Sequence, residues 1–203
     1  MKFAVLISGS GTNLQAIIDA VKAGGITAEC ALVISSRDDA FGLKRAEQAG
    51  IPSAVFNPKN YTNPQSVDRD MVITLKKNGI DFIVMAGYMR MLTPFFIKEY
   101  PRKILNIHPA LLPSFKGVQG IKDAWTYGAK VTGVTVHFVD EKMDHGPIIL
   151  QEPLKVVETD TLEDLEAKIH KIEHRVYPKA IQLFVEDRLK VSGRKVEVQP
   201  KKA

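Results

Sequence analysis

The 203-residue chain contains one cysteine, Cys30, so it has neither a disulfide framework nor a thiolate-based metal site. A lone thiol in the apolar run "ECALVISS" fits a reducing, cytosolic compartment. Long apolar runs are missing too. "MKFAVLIS" is too short for a signal-peptide core and reads straight into a Gly-rich turn, and no stretch reaches the length that spans a bilayer. Charge of one sign is not concentrated either. The net charge is +5, but Lys and Arg are scattered, with part of the excess at Arg194, Lys195, Lys201 and Lys202. A nucleic-acid partner would ask for a basic stripe, so none is expected. Repeats and low-complexity linkers are absent, and 45% hydrophobic residues suffice for a substantial core.

What is present is an alternation. "KFAVLIS" and "ECALVIS" are short, continuous apolar runs, and "TNLQAIIDAVKAG" between them has helical spacing at Leu14, Ile17, Ile18 and Val21. The pattern repeats through "FGLKRAEQAG", "SAVF", "SVDRDMVITLKKNG" and "DFIVMAG", and Thr93-Pro94 opens a short helix "PFFIKEY". This order predicts an α/β, Rossmann-like, mostly parallel twisted sheet with helices on both faces.

After a fifth strand, "KILNIH", the pattern changes. "VTGVTVHFVD" alternates and "PIILQEPLKV" runs apolar, which predicts an antiparallel addition in the C-terminal half. Thr161 and Asp164 form a capping signature for a long helix to about Glu186, with a kink expected near Pro178. "LKVSGRKVEV" reads as a hairpin turning at Ser192 and Gly193. The expected organisation is a single unit over 1–203, with halves at 1–100 and 101–203.

"SGSGTNLQ", Ser8 to Gln15, lies between the first strand and its helix. Glycines let the backbone approach a ligand there, and a helix N-terminus offers free N–H groups and a positive dipole end, which suits a phosphate. The dinucleotide fingerprint is not met, because Leu14 stands where the third glycine belongs, and Gly-Lys-Ser/Thr is absent. A tight turn with Thr12 or Asn13 as N-cap is the alternative reading.

"NIHPALLP" sits just beyond a parallel strand, where ligands of open α/β folds bind. Asn106 and His108 share one side of that strand, and Pro109 and Pro113 stiffen the turn after His108. An imidazole relays protons near pH 7 and an amide N–H stabilises an oxyanion. Asp144, before Gly146 and Pro147, is the carboxylate available to orient His108, and His137 and Thr135, on the strand leading to that loop, are candidates to support it. Ser114 lacks a nucleophile elbow and Cys30 reads as buried, so direct transfer is expected rather than a covalent intermediate. His170 and His174 sit four apart on a helix without a partnering acid motif, and no metal is expected.

"GSGTNLQAII", "AGYMRML", "NIHPALLPSFKG" and "GVTVHFVDEKMDHGPII", in this order, resemble the phosphoribosylglycinamide formyltransferase family over nearly the whole chain. The resemblance implies formyl transfer from 10-formyltetrahydrofolate to the amino group of glycinamide ribonucleotide in de novo purine synthesis. It implies Asn106, His108 and Asp144 as the catalytic trio, Gly11, Thr12 and Asn13 as the ribose-phosphate loop, and Glu173 as a contact to the glycinamide substrate. Met89, Arg90, Met91 and Leu92 match the pterin wall, with Arg90 and Leu92 offering backbone groups, and Asp140 and Glu141 lie in the loop that closes the other side. A Met-rich run after a strand is otherwise core, and Arg90 is otherwise a surface salt-bridge residue.

The first half would then bind ribose phosphate, and the second would complete the catalytic and folate site. The implied partners are these two small molecules, with no membrane or nucleic acid, in a cytoplasmic monomer or homodimer. Gln119, Ile121 and His170 depart from residues seen in many relatives. A deformylase relative would be expected to carry an N-terminal regulatory domain, and a methionyl-tRNA formyltransferase a C-terminal RNA-binding domain. With a strand from Lys2 and only a hairpin and "QPKKA" at the end, neither is expected here. A non-catalytic nucleotide-binding module would not need the trio.

Overall fold

The computed structural model describes residues 1–201, and Lys202 of the basic tail lies outside them. The strands β1 (Lys2–Ile7), β2 (Glu29–Ser35), β3 (Ser53–Val55), β4 (Phe82–Met85), β5 (Ile104–His108), β6 (Val131–Phe138) and β7 (Ile148–Lys155) form one seven-stranded sheet in the order β3-β2-β1-β4-β5-β6-β7. Neighbours from β3 to β5 run parallel, whereas β6 and β7 are antiparallel additions. β1 and β4 are apolar and buried almost throughout, because both of their faces are covered.

The covering helices are α1 (Thr12–Lys22), α2 (Phe41–Gln48), α3 (Pro64–Lys77), α4 (Pro94–Glu99), α5 (Gly120–Tyr127) and α6 (Leu162–Val185). On one face Leu14 and Ile17 of α1 and Ile169, Tyr177 and Ile181 of α6 pack against Phe3, Val5, Phe82 and Val84. On the other, Met71 and Leu75 of α3 and Phe96 of α4 pack against Ala4, Leu6, Ile83 and Met85. Successive side chains of each strand feed opposite cores, as the strand period of two requires.

The strand order reverses between β1 and β4, and the carboxyl ends of these strands open a crevice. α6 is anchored beneath it by the buried Tyr177, whose hydroxyl is shared between the carbonyls of Met85 (2.8 Å) and Leu105 (3.1 Å). The expected Thr161–Asp164 capping box starts α6, and the helix continues through Pro178 to Val185. Among the described residues, no helix is long and apolar enough to cross a membrane.

Two local features differ from the sequence reading. α5 was not expected, since a short segment opening on glycine has little helical signal. The terminal hairpin, β8 (Leu189–Ser192) with β9 (Lys195–Val198), turns at Gly193 and Arg194 instead of Ser192 and Gly193. Ser192 pairs with Lys195, which leaves Gly193, with φ +58°, to begin the turn.

Candidate functional site

A cavity of about 380 Å³ occupies the crevice. It is lined by Ser8 to Asn13 after β1, Met85 to Leu92 after β4, Asn106 to Pro109 at the end of β5, and His137, Asp140, Asp144, His170 and Glu173. The two ends of the cavity are therefore the Gly-rich loop and the Asn106–His108–Asp144 cluster.

Gly11, at φ +70°, is the N-cap of α1, and no side chain caps that helix. Thr12 and Asn13 are helical residues, which overturns the alternative that either one caps the turn. Because the cap position carries no side-chain acceptor, the first-turn N–H groups are left without a capping partner. The loop lies tightly on α2. A Cβ at Gly11 would stand 2.7 Å from Gly42 Cα, the Gly42 N–H donates to Gly9 O at 3.1 Å, and Arg45 Nε–H donates to Ser10 O at 2.9 Å.

Asn13 Nδ2 donates to Glu173 Oε2 at 3.1 Å, and Asn13 Oδ1 is buried without a partner among the described residues. The same Glu173 oxygen accepts from His170 Nδ1 at 2.7 Å. This hydrogen bond raises the His170 pKa above its ordinary range, against a smaller opposing effect of burial. His170 thus sits at the Gly-rich-loop end of the cavity. His170 and His174 stack at 6.3 Å, and among the described residues no group of three His, Cys, Asp or Glu side chains converges as a metal site.

At the other end, cross-strand register puts Asn106 opposite His137 and His108 opposite Thr135. His137 Nδ1–H donates to Phe138 O at 2.7 Å, so its Nε2 is the acceptor for Asn106 Nδ2–H at 3.2 Å. Burial holds the His137 pKa below its ordinary range despite the Phe138 carbonyl and the nearby Asp144 charge. A neutral His137 fixes the Asn106 amide and leaves its second N–H uncommitted.

His108 is also buried, and its Nε2–H donates to the Phe115 carbonyl at 2.8 Å. A carbonyl only accepts, so Nδ1 is the nitrogen that can exchange a proton, and it faces Asp144 Oδ2 at 3.5 Å. Asp144 Oδ2 accepts the Gly117 N–H at 2.8 Å, and Oδ1 lies 3.8 Å from His137 Nε2. Both Asp144 (φ +46°) and Phe115 (φ +49°) adopt left-handed backbone to make these contacts.

Thr135 does not support the Asp144 loop as expected. Its hydroxyl donates to Ala110 O at 2.7 Å and accepts the Leu112 N–H at 3.0 Å, so it holds the turn after His108. The register decides this, because Thr135 lies beside His108.

Met89 and Met91 are 62% and 53% exposed on the cavity rim, contrary to a core reading of that run, while Leu92 is buried. The Met89 N–H donates to Ser8 Oγ at 2.9 Å, which joins this wall to the end of β1. Arg90 does form an ion pair, but a largely buried one. Its side chain is 14% exposed, its guanidinium reaches the fully buried Asp68 at 3.0 Å, and the other Asp68 oxygen accepts the Thr93 N–H at 2.7 Å. Asp68 therefore clamps both ends of Arg90–Thr93.

Asp140 lines the cavity and binds His145 Nδ1 at 2.7 Å, whereas Glu141 is exposed and outside the lining. Partial burial raises the Asp140 pKa, but the His145 hydrogen bond and the Lys142 N–H outweigh it and leave the pKa below the usual carboxylate range. Gln119 and Ile121 begin α5 away from the lining, and Ile121 packs on the first core.

The sequence reading missed the Phe115 carbonyl, the Gly117 N–H, Ser8 and Asp68. The first two are backbone groups and leave no side-chain signature. Asp68 could have been found, since it shares helical spacing with Met71, Val72 and Leu75, where a carboxylate needs a buried partner.

A family model described as formyl transferase matches residues 1–181. The chain is 47% identical over 190 residues to the phosphoribosylglycinamide formyltransferase of Haemophilus influenzae, covering 94% of this chain and 90% of that one. It is 44% identical over 182 residues to the human trifunctional purine biosynthetic protein adenosine-3, covering 90% of this chain and 18% of that protein. The crystal structure of glycinamide ribonucleotide transformylase 1 from Symbiobacterium toebii superposes with a TM-score of 0.96 at 46% identity, covering 98% of this chain and 94% of that one.

Proposed function

The chain belongs to the formyl transferase family, as one of its phosphoribosylglycinamide formyltransferases, and from that premise we propose how its cavity transfers formyl from 10-formyltetrahydrofolate to the amino group of glycinamide ribonucleotide. The observation that carries the proposal is the joining, in one cavity, of an uncapped helix N-terminus to the Asn106–His108–Asp144 cluster.

The ribose phosphate binds at Gly11, Thr12 and Asn13, where first-turn N–H groups and the helix dipole favour an anion. Glu173, held by Asn13 and His170, receives the glycinamide portion. The reduced pterin lies along Met89–Leu92, with Asp140 on the opposite side. Glu141, expected on that side as well, is outside the lining and takes no part in this reading.

As the substrate amine bonds to the formyl carbon, negative charge grows on the formyl oxygen. The free Asn106 N–H and a protonated His108 Nδ1 stabilise that charge. Asp144 balances the imidazolium and takes up the amine proton directly or through water. When the carbon–nitrogen bond to the donor breaks, a proton passes to the leaving nitrogen and the free donor product departs. His137 supports the reaction by staying neutral and fixing Asn106, and Thr135 by holding the turn behind His108. On this reading the chain forms one catalytic unit of cytoplasmic purine synthesis: residues 1–100 carry the ribose-phosphate loop and one pterin wall, and the second half, from residue 101, supplies the catalytic trio, the opposite folate side and the Glu173 and His170 that complete the phosphate end.

Thermal melting with each ligand tests the cavity assignment. Glycinamide ribonucleotide and a reduced folate should each raise the midpoint, and the two together should raise it further, because both bind the folded state. A response to only one ligand would leave a binding module in place of a two-substrate transferase.

A further inference from the structure

Gly120 opens α5 with its bare Cα against the site. A Cβ built there would lie 3.0 Å from the Phe115 carbonyl oxygen and 3.2 Å from both Cε1 and Nε2 of His108. Its backbone is helical and lies outside the left-handed region, so conformation does not require glycine. Alanine is the better helix former at such a position. Only space opposes it: the contacts are tight enough that one of the neighbours would have to give by a few tenths of an ångström, and those neighbours are the two partners of the hydrogen bond that holds the His108 ring.

We propose that Gly120 is a positioning residue for His108: the missing side chain lets the Phe115 carbonyl close on Nε2–H, which makes Nδ1 the nitrogen that takes and gives the proton opposite Asp144. The contacts link in series. Phe115 uses left-handed backbone at φ +49°, its oxygen meets Nε2 at 2.8 Å, and the opposite nitrogen faces Asp144 Oδ2 at 3.5 Å. A methyl group at position 120 would press on both partners of that bond at once. The ring would then turn or the carbonyl would withdraw, and Nε2 would compete with Nδ1 for the proton. The consequence for rate rests on the proposed formyl transfer, whereas the tautomer does not.

Nitrogen NMR of the wild-type protein labelled at histidine, with His108 assigned by comparison with His108→Gln, reads the tautomer directly. Neutral His108 is expected to carry its proton on Nε2, and a proton on Nδ1 would overturn the proposal even in a fully active enzyme. Gly120→Ala should lower kcat roughly tenfold, displace the pH–rate profile, and leave KM for both substrates within about threefold, as a displaced acid–base group does. Gly128→Ala is the control on the same helix. Gly128 has φ +76° and open space around its Cα, so alanine there should lower the melting temperature without moving the pH profile. A Gly120→Ala enzyme with wild-type kcat and pH profile, or one that only melts earlier as Gly128→Ala does, would contradict the assignment. Should Gly120→Ala fail to fold, or the wild type transfer no formyl, the wild-type tautomer still decides.

Discussion

His108 Nδ1 stands 3.5 Å from Asp144 Oδ2, and that oxygen also accepts the Gly117 N–H at 2.8 Å. The carboxylate is thus held by backbone while it faces the imidazole nitrogen that the Phe115 carbonyl does not engage. Neither residue reaches this arrangement alone. His108 needs the Phe115 carbonyl behind it, and Asp144 needs its left-handed backbone.

Asp144→Asn separates charge from shape, because asparagine also tolerates φ +46°. We expect kcat to fall about 100-fold or more with the melting temperature nearly unchanged, the loss typical of a removed acid–base group. Steady-state rates and a circular-dichroism melt on the same preparation check this. Activity near wild type would show that the negative charge is not used.

At the other end, Asn13→Ala removes the hydrogen bond to Glu173 and alters the first turn of α1. Affinity for glycinamide ribonucleotide should weaken roughly tenfold, the equivalent of one hydrogen bond to a charged group, while reduced-folate affinity holds. Calorimetric titration of each ligand distinguishes the two. Equal losses would make the loop a structural element only.

Asp68→Ala leaves the Arg90 guanidinium without its buried partner and frees the Thr93 N–H. Breaking a buried ion pair on one side costs about 3 kcal/mol or more, measurable as a lower urea midpoint. Because the clamp shapes the Met89–Leu92 wall, KM for the folate donor should rise while phosphate-substrate affinity stays. An unchanged donor KM would separate the clamp from the binding site.

The His170 pKa is raised above 6.5, mainly by its hydrogen bond to Glu173. Below 6.5 its stabilising contribution is fully present, and it is lost as pH rises through the higher native value. The urea midpoint should therefore decline as pH rises above 6.5 and through the higher native value, and His170→Asn should remove part of that decline. The imidazole is nearly half exposed, so solvent screening keeps the effect small. A variant that follows the wild-type pH dependence would refute the linkage.

Burial, with a minor contribution from Glu29, pushes the Cys30 thiol up to about 12. Iodoacetamide near pH 8 should leave the native protein unmodified and alkylate it once urea unfolds it, since thiolate is the reactive form. Intact-mass spectrometry reads this directly, and rapid labelling of the native chain would contradict the burial of β2.

The sheet was legible because its central strands are buried on both faces, so apolar runs such as "KFAVLIS" announce themselves without help from neighbours. Asn106, His108 and Asp144 were legible as chemistry-bearing side chains beside Gly and Pro. The partners that orient them were not. The Phe115 carbonyl and the Gly117 N–H are identical in every residue, and α5 opens on the glycine whose missing side chain gives His108 room. The depth of the Arg90 ion pair and the partners of Thr135 were hidden for another reason, since those partners come from α3 and from the turn after β5, and no local pattern encodes such contacts.

Donor consumption, measured by absorbance with a 10-formylfolate and run with and without glycinamide ribonucleotide, tests the central claim most directly. The account predicts consumption that depends on the amine and stops when the amine is exhausted. Consumption at the same rate without the amine would mean that the formyl group goes to water, contradicting transfer to the glycinamide nitrogen.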